Sequence, residues 1–196
     1  MNHFTNICVY CGSSPGRSLI YQEAAIALGE ELAQRGIGLV YGGGNVGLMG
    51  TLACAVANAG GQVTGIIPGS LLPKELVGET IGDQVLVGSM HERKAQMIAL
   101  ADGFIALPGG YGTLDELFET ITWAQLGIHS KPIGLLNVAG YFDALIQWID
   151  HAVAEQLIRP EHRQLLVTAA SPAALLEMMT QQQPPAGLTK WVTRED

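Results

Sequence analysis

Short, nearly continuous apolar runs alternate with amphipathic stretches along the chain. The runs predict strands near Asn6–Cys11, Gly38–Tyr41, Val63–Ile67, Gln84–Val87, Phe104–Leu107 and Ile133–Leu136. The amphipathic stretches predict helices near Leu19–Gln34, Val46–Ala59, Ser89–Ala101, Thr113–Leu126, Tyr141–Glu155 and Pro172–Gln181. Strands without a polar face belong in a parallel sheet covered by helices on both sides. Their regular alternation with helices predicts an α/β chain with a doubly wound, Rossmann-like sheet in a single domain. That domain is expected to span residues 1–180, with 181–196, which begins Gln181-Gln-Gln-Pro-Pro, as a flexible tail.

Composition narrows the class. Only 14% of residues are charged and 48% are hydrophobic, which excludes a disordered or coiled-coil chain. The 25 glycines among 196 residues are nearly twice the usual share of ~7% and point to glycine-built loops. Net charge is -8 and no basic run exceeds Arg93-Lys94, so no nucleic-acid partner is expected. Residues 36–73 carry no charged side chain, yet eleven glycines, Asn45, Asn58, Gln62 and Pro68 divide them. A spanning helix needs roughly 20 apolar residues in succession, so this stretch reads as buried strand-helix-strand and no membrane partner is expected. Residues 1–6 have neither the cationic start nor the apolar core of a signal peptide, which makes a cytoplasmic location the expectation. Cys8 and Cys11 form a C-x-x-C, but that spacing along a strand turns the side chains to opposite faces. Together with Cys54 they read as small residues of a reduced protein. The five histidines show no ligand spacing, and no metal is expected.

In a doubly wound sheet, ligands bind at the carboxyl ends of the strands, where strand order reverses. Four loops leaving those ends are unusual: Cys11-Gly-Ser-Ser, Gly42–Gly50, Ser89–Lys94 and Pro108–Glu116. In the last, Gly109, Gly110 and Gly112 leave backbone N–H groups open to a ligand, and Thr113 reads as the N-cap of the next helix. Open N–H groups at the positive end of a helix dipole suit a phosphate. Glu116 has two readings. Thr113-x-x-Glu116 matches a capping box; alternatively Glu116, with Glu119, Thr120 and Trp123 on the face opposite Leu114, Leu117, Phe118 and Ile121, looks into a cleft. Ser89-x-x-Glu92 is a second capping box, which makes Glu92 structural. Arg93 lies between Met90 and Met97 on an apolar-flanked face and requires an anionic partner, either an internal carboxylate or a ligand phosphate. Gly42–Gly50 only approaches G-x-G-x-x-G, and no acidic residue follows at the spacing that holds an adenosine ribose, so NAD is disfavoured.

Pro108-Gly-Gly-Tyr-Gly-Thr-Leu-Asp-Glu116 together with Ser89-Met-His-Glu-Arg-Lys94 resembles the paired signature of the lonely-guy (LOG) family, often labelled lysine decarboxylases. The similarity continues through 120–129, 134–141, Val9–Ser14 and Tyr41–Gly44. The resemblance implies a phosphoribohydrolase that cleaves the N-glycosidic bond of N6-modified adenosine 5′-monophosphates, works as a homodimer and needs no cofactor or metal. It places the catalytic pair on Arg93 and Glu116. Nucleotide contacts fall on Glu75, Lys94, Gly110, Tyr111, Gly112, Thr113, Leu114, Asp115 and Thr122, and Gly43 and Gly44 join them as substrate-binding candidates. Asp115 stands where many relatives carry Glu. No residue pattern points to a pyridoxal phosphate lysine. A non-catalytic protein that senses AMP-like nucleotides is the alternative, and the presence of both Arg93 and Glu116 favours the enzyme. Low surface charge and Trp123 on the polar face of its helix add to the expectation of a dimer, with the site near the interface.

Overall fold

The computed structural model describes residues 1–75 and 80–183, and of Lys74 and Glu75 the backbone alone. The chain order is β1 (Asn6–Tyr10), α1 (Leu19–Gln34), β2 (Gly38–Tyr41), α2 (Gly47–Asn58), β3 (Val63–Pro68), α3 (Leu72–Glu75), β4 (Asp83–Val87) and α4 (Met90–Leu100). It continues with β5 (Gly103–Ala106), α5 (Tyr111–Gln125), β6 (Ile133–Leu136), α6 (Asp143–Ala154), α7 (Pro160–Arg163), β7 (Leu166–Ala169) and α8 (Pro172–Gln181). All pairings are parallel, in the order β4-β3-β2-β1-β5-β6-β7. The order reverses between β1 and β5, which carries the crevice to the carboxyl ends of those two strands.

Each sheet face has its own core. Leu28 and Leu32 of α1, Leu52 and Val56 of α2 and Leu175 and Met179 of α8 pack on one face. Met97 of α4, Leu117 and Ala124 of α5 and Ile149 of α6 pack on the other. Cys8 and Cys11 join different cores, as the two-residue period of a strand requires. The uncharged stretch folds as β2, α2 and β3, and no helix among the described residues is long and apolar enough to cross a membrane.

Four expectations change. The seventh strand, β7, was not predicted; its signal is the short run Leu165-Leu-Val-Thr-Ala169 between two helices, half-buried at the sheet edge. Helix α5 begins at Tyr111, with Gly110 as its N-cap, so Thr113 lies in the first turn and does not cap it. The buried stripe of α5 is Thr113, Leu117, Thr120 and Ala124, rotated from the predicted one. Buried Thr120 is acceptable there because its Oγ1 donates to the Glu116 carbonyl at 2.9 Å and accepts from the Tyr10 hydroxyl at 2.9 Å. Lastly, Gln181 closes α8, and the Gln182 side chain donates to the carbonyls of Gln164 and Leu165 at 3.0 and 2.9 Å. Residues 181 and 182 therefore belong to the fold, and 184–196, where the rest of the expected tail falls, lie outside the described residues.

Candidate active site

At the switch point, a cleft of about 270 Å³ opens between the end of β1 and the first turns of α4 and α5. It is lined by Val9, Cys11, Gly12 and Gly42, by Arg93, Glu116 and Asp115, and by Gly110, Tyr111, Gly112 and Thr113 of the loop.

The glycine loop is built by close approach. The side chain of Thr113 fills the space where a Cβ of Gly109 would stand, and the backbone of Gly12 closes the other side. The Gly12 N–H donates to the Pro108 carbonyl at 3.1 Å, which ties the two loops together. Beyond Gly109 the backbone is open, since nothing lies within 4 Å of a Cβ at Gly110 or Gly112. Gly110 is extended (φ -96°, ψ -150°) and no side chain caps α5. The N–H groups of Tyr111, Gly112 and Thr113 come before the first intrahelical bond and carry the positive end of the dipole. An anion is the natural occupant.

The capping-box reading of Glu116 fails, because Thr113 is the third residue of α5 and Glu116 stands a turn inside it. Its carboxylate reaches the cleft beside β1. Burial first, and the negative charge of Glu116 next, push the thiols of both Cys8 and Cys11 well above their ordinary range. The phenol of Tyr10 is pushed up too, chiefly by burial.

Arg93 is 4% exposed. Its Nη2 donates to the Gly42 carbonyl at 2.8 Å, and its Nη1 lies 3.8 Å from the Met90 sulfur. A Cβ at Gly42 would overlap the guanidinium, so glycine is required for the close approach. A cation in the first turn of a helix opposes the macrodipole. Glu92 offsets this from the predicted capping position: Ser89 Oγ accepts from the Glu92 N–H at 3.2 Å, and Glu92 Oε2 accepts from the Gly88 N–H at 2.6 Å. The reciprocal bond reaches Gly88 where a strict capping box would use Ser89.

Lys94 lies beside the cleft and outside its lining. Nζ is 3.1 Å from Asp115 Oδ2 and 3.2 Å from Glu119 Oε2, joining α4 to α5. Burial pulls the ammonium down, but the bonds to Asp115 and Glu119 outweigh it and raise the pKa overall. The shorter carboxylate at position 115 still reaches this partner.

Of the residues expected from sequence, Arg93, Gly110, Tyr111, Gly112, Thr113, Asp115 and Glu116 meet at the cleft. Leu114, Thr122, Gly43 and Gly44 do not line it among the described residues. Thr122 is exposed down the helix and donates to the Phe118 carbonyl at 2.6 Å. Gly43 (φ 80°) is buried against Ile67 and Gln84, where it lets the end of β2 pass close to its neighbours. Glu75 ends α3, and its side chain is outside the described residues. Ser13, Met49, Leu71 and Met90 also line the cleft and were not expected. Ser13, Met49 and Met90 stood in loops already marked by their place after strands; nothing in sequence marked Leu71.

Fold and cleft define a Rossmann-like α/β protein with an open glycine loop at a helix N-terminus, a buried arginine and a carboxylate at the switch point. The family described as "Possible lysine decarboxylase" matches residues 49–179. Probable cytokinin riboside 5'-monophosphate phosphoribohydrolase LOGL5 of Oryza sativa subsp. japonica is 55% identical, over 94% of this chain and 75% of that protein. Cytokinin riboside 5'-monophosphate phosphoribohydrolase LOG7 of Arabidopsis thaliana is also 55% identical, over 93% and 84%. The chain belongs to the LOG family. The molybdenum cofactor carrier protein of Chlamydomonas reinhardtii shares the fold, with a TM-score of 0.68 at 19% identity over 92% of this chain and 98% of that one.

Proposed function

We propose that this protein hydrolyses the N-glycosidic bond of adenosine 5′-monophosphate nucleotides, N6-modified ones included, to free base and ribose 5-phosphate. The observation that carries it is the meeting of buried Arg93 and the Glu116 carboxylate in one cleft, directly beside the open N–H groups of α5. Similarity to relatives named for this reaction supports it.

The 5′-phosphate sits on the N–H groups of residues 111–113, and its fixed position holds the ribose over Glu116. As the C1′–N9 bond breaks, its electron pair leaves with the purine and positive charge builds on C1′ and the ring oxygen. The Glu116 carboxylate stabilises that charge and orients the water whose oxygen bonds to C1′. One water proton is released from the attacking oxygen, and one proton ends on the departing base. A guanidinium does not serve as a proton donor, so Arg93 anchors the substrate and stabilises negative charge on the leaving purine. Asp115 and Lys94 act as a pair that holds α4 against α5 at the rim.

The active form is a homodimer, cytoplasmic in location. Support for the dimer moves away from Trp123, which is half-buried against the core. It rests on the open side of β4, where Leu86 is 63% exposed beside exposed Val85 and Met90. Met90 also lines the cleft, which brings the site to this interface. Incubation of purified protein with AMP and with isopentenyladenosine monophosphate should release free base and ribose 5-phosphate. Binding of both nucleotides without base release would replace the enzyme by a nucleotide sensor.

A further inference from the structure

The turn after β6 is held in an unusual shape. Ala139 adopts φ 50° and ψ 33°, a left-handed conformation that alanine rarely takes unless its surroundings impose it, and Gly140 follows at φ 72°. Asn137 supplies the constraint: Oδ1 accepts from the Phe142 N–H at 2.8 Å, and Nδ2 donates to Asp143 Oδ1 at 2.7 Å. The effect is to direct Tyr141 across the end of the sheet. Its hydroxyl donates to the Gly109 carbonyl at 2.6 Å. Its ring packs edge-on against Tyr21 of α1 at 5.6 Å and Phe142 at 5.1 Å, although Tyr141 remains 43% exposed.

Gly109 is the root of the open loop. Thr113 and Gly12 hold it from two sides and the Tyr141 hydroxyl from a third, whereas a Cβ at Gly110 or Gly112 beyond it would meet nothing within 4 Å. Glycines give a loop no side chains by which to fix itself, so a free loop would lose entropy each time it bound an anion. We propose that Tyr141 is a positioning residue that fixes the Gly109 peptide, and so aims the N–H groups of residues 111–113 at the substrate phosphate before it arrives. This rests on the reading of that loop as the 5′-phosphate site. The strained turn at Ala139 then serves to place one hydroxyl.

Tyr141→Phe keeps the ring and deletes the hydroxyl. The affinities of ribose 5-phosphate, AMP and adenosine, with kcat and KM for AMP, should be measured for wild type and variant. One hydrogen bond of ordinary strength corresponds to an expected rise of roughly 5- to 10-fold in KM for AMP and in Kd for ribose 5-phosphate. Adenosine affinity and kcat at saturating AMP should be unchanged. Tyr141→Leu should show the same selective loss with a lower Tm as well. An AMP-to-adenosine affinity ratio equal to that of wild type in Tyr141→Phe, or an equal loss for both ligands, overturns the positioning role. Wild-type protein that holds AMP no more tightly than adenosine overturns the phosphate site itself, and this role with it.

Discussion

Glu116 and Arg93 show how a single position acquires its chemistry from what lies beside it. Since Glu116 is a turn inside α5, its removal costs the helix no cap, and Glu116→Gln should leave Tm within about 3 °C of wild type. The rate of base release under single turnover should fall on the order of 100-fold, because an amide cannot stabilise the developing cation. Near-normal turnover would remove Glu116 from the mechanism. Arg93 depends on a missing side chain elsewhere. Gly42→Ala puts a methyl group into the guanidinium and disturbs the 2.8 Å bond to the position-42 carbonyl. Overpacking of this kind costs about 1–3 kcal/mol. We expect a lower Tm and a loss of at least about 10-fold in kcat/KM; full activity with wild-type Tm would show that the arginine can move without consequence.

At the scale of elements, α5 does two tasks with different parts of its length. Its first turn lines the cleft, and its middle packs on β1 through Thr120 and Tyr10. Just past its end, half-buried His129 closes it onto the sheet. The ring accepts the Lys131 N–H on Nδ1 at 3.2 Å, so Nε2 carries the proton and donates to the Thr120 carbonyl at 3.0 Å. Burial, with the charge of Lys131, lowers the His129 pKa below its usual 6.5. The folded state thus binds this proton more weakly than the unfolded chain. The contribution is complete above about pH 6.5 and is lost as pH falls towards the lowered value. Buried His162, also lowered by burial and Arg159, acts in the same direction. Tm should therefore drop between about pH 7.5 and pH 5.5, and less steeply in His129→Gln, with His162 responsible for the remaining slope. Identical slopes in the two proteins would refute this account.

For the whole molecule, β4 ends the sheet with one edge unpaired among the described residues. An exposed strand edge flanked by apolar side chains invites pairing with another chain. Leu86→Glu places a charge in that face without touching the described core. Light scattering should report a dimer for wild type and a monomer for Leu86→Glu, and activity should fall because Met90 and the cleft lie alongside. A dimer that persists in Leu86→Glu would move the interface elsewhere.

Much of this architecture is written in local pattern. Apolar runs two-sided in character demand a covered parallel sheet, and α1, α2, α4 and α8 appear within a residue of their predicted limits. The glycine loop and the arginine-bearing loop were legible for a related reason: both stand at strand ends, where small residues and a helix start give a local signature. What pattern could not supply depends on neighbours far along the chain. The rotation of α5, which buries two threonines and turns Glu116 towards β1, follows from the Tyr10 hydroxyl 110 residues away. The same holds for Gly42, whose missing side chain admits an arginine 51 positions later, and for Tyr141, which reaches back to Gly109. Periodicity records which residues seek burial; which polar atom satisfies another is settled only when the strands take their order and bring the two together.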